Sequence, residues 1–115
     1  MVYIIAGATG VVGSAISKEL AKENEVHLIG RDEEKLSALS KEIDAQYSLI
    51  DLTNTIEQRE FSKIISDDKE IKGLVNCIGS ILIKPLHGTK TEEFEEVLRV
   101  NLFSSYYLLS SFARR

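Results

Sequence analysis

A chain of 115 residues with a formal charge of −4 has the length of one domain, and it lacks the clustered Lys and Arg that a phosphate backbone requires, which argues against a nucleic-acid partner. Its one cysteine, Cys77, can form no internal disulfide, and no run of about eighteen apolar residues offers a membrane span. The apolar residues begin almost at Met1 with no basic flank or cleavage-like segment, so a cytoplasmic location is expected, and no metal site is.

Residues 2 to 6 (VYIIA) are a short continuous apolar run that predicts a strand, and 11 to 22 carry Val12, Ile16 and Leu20 at helical spacing. Residues 25 to 30 (EVHLIG) read as a second strand. A helix over 32 to 43 is started by Asp32, with Glu33 and Glu34 in its first turn, where the helix dipole favours anions. Residues 45 to 50 (AQYSLI) predict a third strand, 54 to 66 a third helix and 73 to 78 (GLVNCI) a fourth strand. Thr91 is the expected N-cap of a fourth helix, with Glu92 and Glu93 in its first turn. Along that helix Phe94, Leu98, Leu102 and Leu109 are expected to face the sheet, leaving Val100, Phe103, Tyr106 and Tyr107 for a second partner surface.

Strands alternating with helices of about a dozen residues imply right-handed crossovers and a doubly wound parallel sheet covered on both faces. In such sheets ligands sit beyond the carboxyl ends of the strands. There lies the segment GATGVVG, with Gly7, Gly10 and Gly13 spaced three apart. Gly7 permits a tight exit from the strand, Gly10 lets backbone approach a ligand, and Gly13 lets the helix pack close to the sheet. Free N–H groups at the helix start then face an anion such as a dinucleotide pyrophosphate. The bland alternative is a tight strand-to-helix turn and nothing more. No Gly-Lys-Ser/Thr follows, so a nucleoside-triphosphate loop is excluded. The apolar fourth strand suits the interior of a sheet, yet the order 3-2-1-4 leaves it as an open edge.

These features resemble the short-chain dehydrogenase/reductase family, through essentially the whole chain. The glycine segment is similar to that family's cofactor loop, with Ala6 where the family usually has Thr and Val11 where its commonest branch has a glycine. The resemblance implies a Rossmann-like domain over 1–115 that binds a dinucleotide through Gly7, Thr9, Gly10, Val11, Val12 and Gly13. In GRDEEKL, Arg31 stands where NAD-specific members carry an acid, and its guanidinium suits a 2′-phosphate, so NADP(H) is expected over NAD(H). The other reading of Arg31 is a solvated residue at a helix start. DLT resembles the adenine-contacting pair after the third strand, Asp51 and Leu52, and NCIG resembles a segment in which Asn76 braces the sheet and Gly79 passes the cofactor ribose. Asn101, in VNLFSS, matches the Asn of the family's Asn-Ser-Tyr-Lys catalytic group, which bends the helix and holds a water in the proton relay.

The family's Tyr-x-x-x-Lys is not found: four positions after Tyr3, Tyr47, Tyr106 and Tyr107 stand Gly7, Asp51, Ser110 and Ser111. The expectation is therefore the cofactor-binding part of a reductase acting on a carbonyl or alcohol substrate, incomplete and inactive alone, and dimerising through residues 94–112. The alternatives are a dinucleotide-binding redox sensor without chemistry and a structural fragment that dimerises. Cys77 is expected to be a small buried residue and His87 a surface one.

Overall fold

The structure, a computed structural model, describes residues 1–113. Four strands, β1 (Val2–Ala6), β2 (Glu25–Gly30), β3 (Gln46–Leu49) and β4 (Ile71–Asn76), alternate with α1 (Val11–Ala21), α2 (Glu33–Ile43) and α3 (Thr55–Asp68). All pairings are parallel, in the order β3-β2-β1-β4. Both the strand order and the alternation agree with the sequence reading. After β4 come a short 3-10 turn (Leu86–Gly88), α4 (Thr91–Leu98), a π-helical turn (Arg99–Phe103) and α5 (Ser104–Phe112).

The strands carry apolar side chains to both faces, which makes two cores. On one face Val2, Ile4, Ala6 and Ile29 pack with Ile65 of α3 and Leu108 and Phe112 of α5. On the other, Ile5, Val26 and Leu28 pack with Leu36 and Leu39 of α2 and the partly buried Leu20 of α1. Each fully buried large side chain stabilises the fold by roughly 1.5–3 kcal/mol relative to exposure.

Helix starts follow the capping chemistry of the sequence, with one correction. Asp32 Oδ1 accepts from the Lys35 N–H at 3.1 Å, and Asn54 Oδ1 accepts from Ile56 and Glu57 at 3.0 and 3.2 Å. For α4 the cap is Lys90 and not Thr91: Glu93 Oε1 accepts from the Lys90 N–H at 3.2 Å and its other oxygen takes Lys84 Nζ at 2.6 Å. The glutamate three residues on reaches back to the N-cap N–H, a different bond from the one a threonine N-cap hydroxyl makes to an N–H of the first turn.

The last helix differs most from expectation. Phe94, Leu102 and Leu109 are exposed and Leu98 only half-buried, while Ser104, Leu108 and Phe112 are buried. A π turn inserts one extra residue, rotating everything after it by about 100° relative to an unbroken α-helix. The stripe that meets the sheet is therefore displaced from the one periodicity selects. Strand β4 lies at the open edge that the order 3-2-1-4 implies, and despite its apolar sequence it is only half-buried over Ile71 and Gly73–Val75.

Candidate functional site

Where the four strands end, the segments that leave them enclose a cleft of about 280 Å³. It is lined by Gly7, Thr9 and Gly10 after β1, Gly30–Asp32 after β2, Ile50–Thr53 after β3, Cys77–Gly79 after β4, and Val100 from the π turn.

The three glycines of the first loop answer to different constraints. Gly7 has φ +71°, and a β-carbon there would lie 2.6 Å from the Cys77 carbonyl carbon and oxygen. At Gly13 a β-carbon would lie 2.0 Å from the Gly7 carbonyl oxygen, so the first turn of α1 can approach the strand exit only without one. Gly10 is otherwise: its backbone is extended and a β-carbon would meet nothing nearer than 3.7 Å. The fold itself does not require a glycine at that position.

Gly10 is also the N-cap of α1, and it gives that helix no side-chain cap; no acidic residue stands in the first turn. The first helical backbone bond runs from the Ser14 N–H to the Gly10 carbonyl at 2.8 Å, which leaves the N–H groups of Val11, Val12 and Gly13 without a protein partner among the described residues. The side chains of Val11 and Val12 are exposed and do not line the cleft. A glycine-lined hollow at an uncapped helix N-terminus is suited to an anion whose oxygens approach the backbone closely.

Across the cleft, Asp51 Oδ1 accepts from the Thr53 hydroxyl at 2.6 Å and the Thr53 N–H at 3.0 Å. These bonds, with the nearby Arg31 guanidinium as a smaller contribution, hold the Asp51 carboxyl below its ordinary range, so it is anionic at neutral pH. Its own N–H donates to Glu57 Oε2 at 2.7 Å, tying the loop to α3. Oδ2 has no partner among the described residues and is the oxygen left to accept from a ligand. Leu52 lies beside it, buried, with its side chain in the cleft wall.

Asn76 and Asn101 do not line the cleft; they hold the segments that do. Asn76 Oδ1 accepts from the Ile78 N–H at 3.1 Å, and its amide donates to Ser105 Oγ at 2.8 Å, bracing the end of β4 against α5. Asn101, in the π turn, accepts from the Ser80 N–H and donates to the Ser80 carbonyl, both at 3.0 Å. Its amide also donates to the Val97 carbonyl at 2.9 Å, satisfying an acceptor that the π turn releases from the α-helical ladder. A β-carbon at Gly79 would sit 3.2 Å from Asn101 Oδ1. Cys77, expected to be buried, is half-buried at the cleft, and partial burial pushes its thiol above the usual value, which disfavours the nucleophilic thiolate. His87 is exposed, as expected.

The profile of the short-chain dehydrogenases matches residues 1–115. The chain belongs to this family. A 3-oxoacyl-(acyl-carrier-protein) reductase, FabG, of Rickettsia bellii is 32% identical over 108 residues, covering 91% of this chain and 44% of that protein. Among solved structures, an alcohol dehydrogenase from the archaeon Thermococcus sibiricus complexed with 5-hydroxy-NADP superposes with a TM-score of 0.85 at 28% identity, over 97% of this chain and 51% of its own. Actinorhodin polyketide ketoreductase with NADPH matches in fold, with a TM-score of 0.92 at 22% identity, over 98% of this chain and 46% of its own. The chain thus spans about half the length of the relatives it matches.

For this member of the short-chain dehydrogenase family, sequence reasoning located seven of the cleft-lining residues, Gly7, Thr9, Gly10, Arg31, Asp51, Leu52 and Gly79. It missed Gly30, Asp32, Ile50, Thr53, Cys77, Ile78 and Val100. Thr53 had a legible signal, since Asp-x-Thr is the spacing of an Asx turn. Val100 had none, because the π turn that aims it at the cleft cannot be told from α-helix by apolar spacing.

Proposed function

We propose that this chain is the cofactor-binding part of an oxidoreductase in which hydride passes between NADP(H) and a carbonyl or alcohol substrate. The observation that carries the reading is Gly10: the chain's own packing leaves room for a side chain there, yet a glycine faces the uncapped start of α1. A pyrophosphate against the N–H groups of Val11, Val12 and Gly13 accounts for both. Arg31 meets the 2′-phosphate, Asp51 Oδ2 accepts from the adenine amine, Leu52 covers the ring, and Gly79 leaves room for the second ribose. Asn76 keeps the end of β4 in place, and Asn101 is the member of the catalytic group that this chain contributes.

The bound dinucleotide supplies the hydride chemistry; the residues present bind and orient it. The printed names of the relatives, an acyl-carrier-protein reductase and structures holding NADPH or an NADP derivative, support a carbonyl substrate and the phosphorylated cofactor. A cytoplasmic setting suits both the lone thiol and a soluble cofactor.

Fluorescence titration of the chain with NADPH and with NADH tests the reading. NADPH is expected to bind at least about tenfold more tightly, and Arg31→Asp to abolish that preference, a difference of roughly 1.4 kcal/mol. Equal affinity for the two, unchanged by Arg31→Asp, overturns the assignment to NADP(H). Saturation by neither overturns the site.

The same proposal includes a homodimer through residues 94–112, where Phe94, Leu102, Tyr106 and Leu109 are all more than half exposed. Sedimentation velocity at roughly tens of micromolar is expected to show a dimer; a monodisperse monomer removes this part of the proposal.

A further inference from the structure

Gln58, near the start of α3, is 1% exposed. Its Nε2 donates to the Leu52 carbonyl and, at 3.4 Å, to the Ser104 carbonyl, while its Oε1 is buried without a partner among the described residues. A buried amide with one orphaned acceptor is less favourable than an apolar side chain of the same length, so its presence calls for a reason. The two carbonyls it joins supply one. Leu52 belongs to the loop after β3 and lines the cleft on one side. Ser104 opens α5 directly after the π turn, and its hydroxyl donates to the carbonyl of Val100, which lines the same cleft. One side chain therefore spans from beneath one wall of the cleft to the helix that carries another.

We infer that Gln58 is a positioning residue that fixes the Leu52 wall of the cleft against the Val100 wall and so sets the width available to the dinucleotide. The inference rests on the proposed cofactor site. Gln58 touches no ligand; it acts through Leu52 and through the Ser104–Val100 contact. The contrasting role, general stabilisation of the α3–α5 contact, predicts a change in stability without a change in how the two walls are coupled.

Gln58→Met keeps the length and removes the donor. Ile65→Val serves as the control, because it trims the core face of the same helix but bonds neither carbonyl. In amide hydrogen exchange without ligand, normalised to global stability, Gln58→Met is expected to speed both residues 52–54 and residues 100–105 by about tenfold, and Ile65→Val neither. If only one of the two segments responds, or if Ile65→Val matches Gln58→Met, the coupling is refuted. Should Gln58→Met fail to fold, Gln58→Asn, which retains the amide but retracts it, is read on the same segments with the same expectation.

NADPH titration is the second arm. Its Kd is expected to weaken roughly five- to tenfold in Gln58→Met and to stay at the wild-type value in Ile65→Val. An unchanged Kd in Gln58→Met, with wild type binding normally, overturns the positioning role. If wild type itself does not bind, it is the cofactor reading that fails, and the exchange comparison still decides whether Gln58 links the two walls.

Discussion

Gly13→Ala is expected to leave little folded protein. The new methyl group would lie 2.0 Å from the Gly7 carbonyl oxygen and 3.0 Å from the Ala8 Cα, all backbone, so no side-chain rotation relieves the overlap. Either α1 withdraws from the sheet, uncovering the core that includes Ile5 and Ala8, or the exit from β1 rebuilds. Overpacking of this kind costs about 3 kcal/mol or more, a large part of the roughly 5–15 kcal/mol that holds a domain together. Gly10→Asp is expected to do the opposite. The backbone there is extended, a β-carbon has space, and an aspartate N-cap with its charge at the helix start raises stability by about 0.3–1 kcal/mol. The same carboxylate occupies the anion site, so NADPH binding is lost. Urea unfolding followed by circular dichroism checks the first effect, and titration of the Gly10→Asp chain checks the second. A Gly13→Ala chain within about 1 kcal/mol of wild type would contradict the packing argument.

These two glycines illustrate what in this molecule can be read before folding. The spacing of Gly7, Gly10 and Gly13 after an apolar run was enough to place the bend at the end of β1, although only the demand on Gly13 is local: a β-carbon at Gly7 would meet Cys77 after β4, and one at Gly10 would meet nothing closer than 3.7 Å. Helix and strand positions were legible from local signals as well: Asp32 announces a helix start, and the apolar run of β1 is continuous because both its faces are covered. The π turn was legible only in part: the resemblance implies that Asn101 bends its helix, but no local signal fixes the extra residue. Its defining residue, Asn101, bonds the Val97 carbonyl four residues back and Ser80 twenty-one residues away, and the second contact exists only once β4 and α5 are packed. Everything downstream of it, including the burial of Leu108 and Phe112 in place of Leu109, inherits that rotation. Gln58 was illegible in the same way, since a glutamine at a helix start reads as solvated until the loop after β3 and the start of α5 close over it.

Acid is expected to destabilise the protein in a window set by one histidine. His27, in the middle of β2, is 7% exposed and lies against the Phe61 ring of α3, with centroids 5.3 Å apart. Its Nε2 pairs with Ser48 Oγ at 2.8 Å across the β2–β3 ladder, and Nδ1 is buried without a partner among the described residues. Burial, reinforced by the Lys69 ammonium and only partly opposed by the Glu25 carboxylate, pushes its pKa from the ordinary 6.5 down to about 4. The unfolded chain therefore takes up a proton at this residue near pH 6.5, and the folded chain does not until about pH 4. Stability from the neutral imidazole is complete above pH 6.5 and declines as pH falls through the window to 4, by at most about 3 kcal/mol. The paired carboxylates of Glu25, Asp51 and Glu93, whose pKa values are lowered, lose their contributions only at more acidic pH, below roughly 4.5. His27→Gln preserves a hydrogen-bonding group for Ser48 and removes the titration. Unfolding free energies measured between pH 7 and 4.5 are expected to fall for wild type and to stay nearly level for His27→Gln, and parallel slopes for the two chains would assign the acid sensitivity elsewhere.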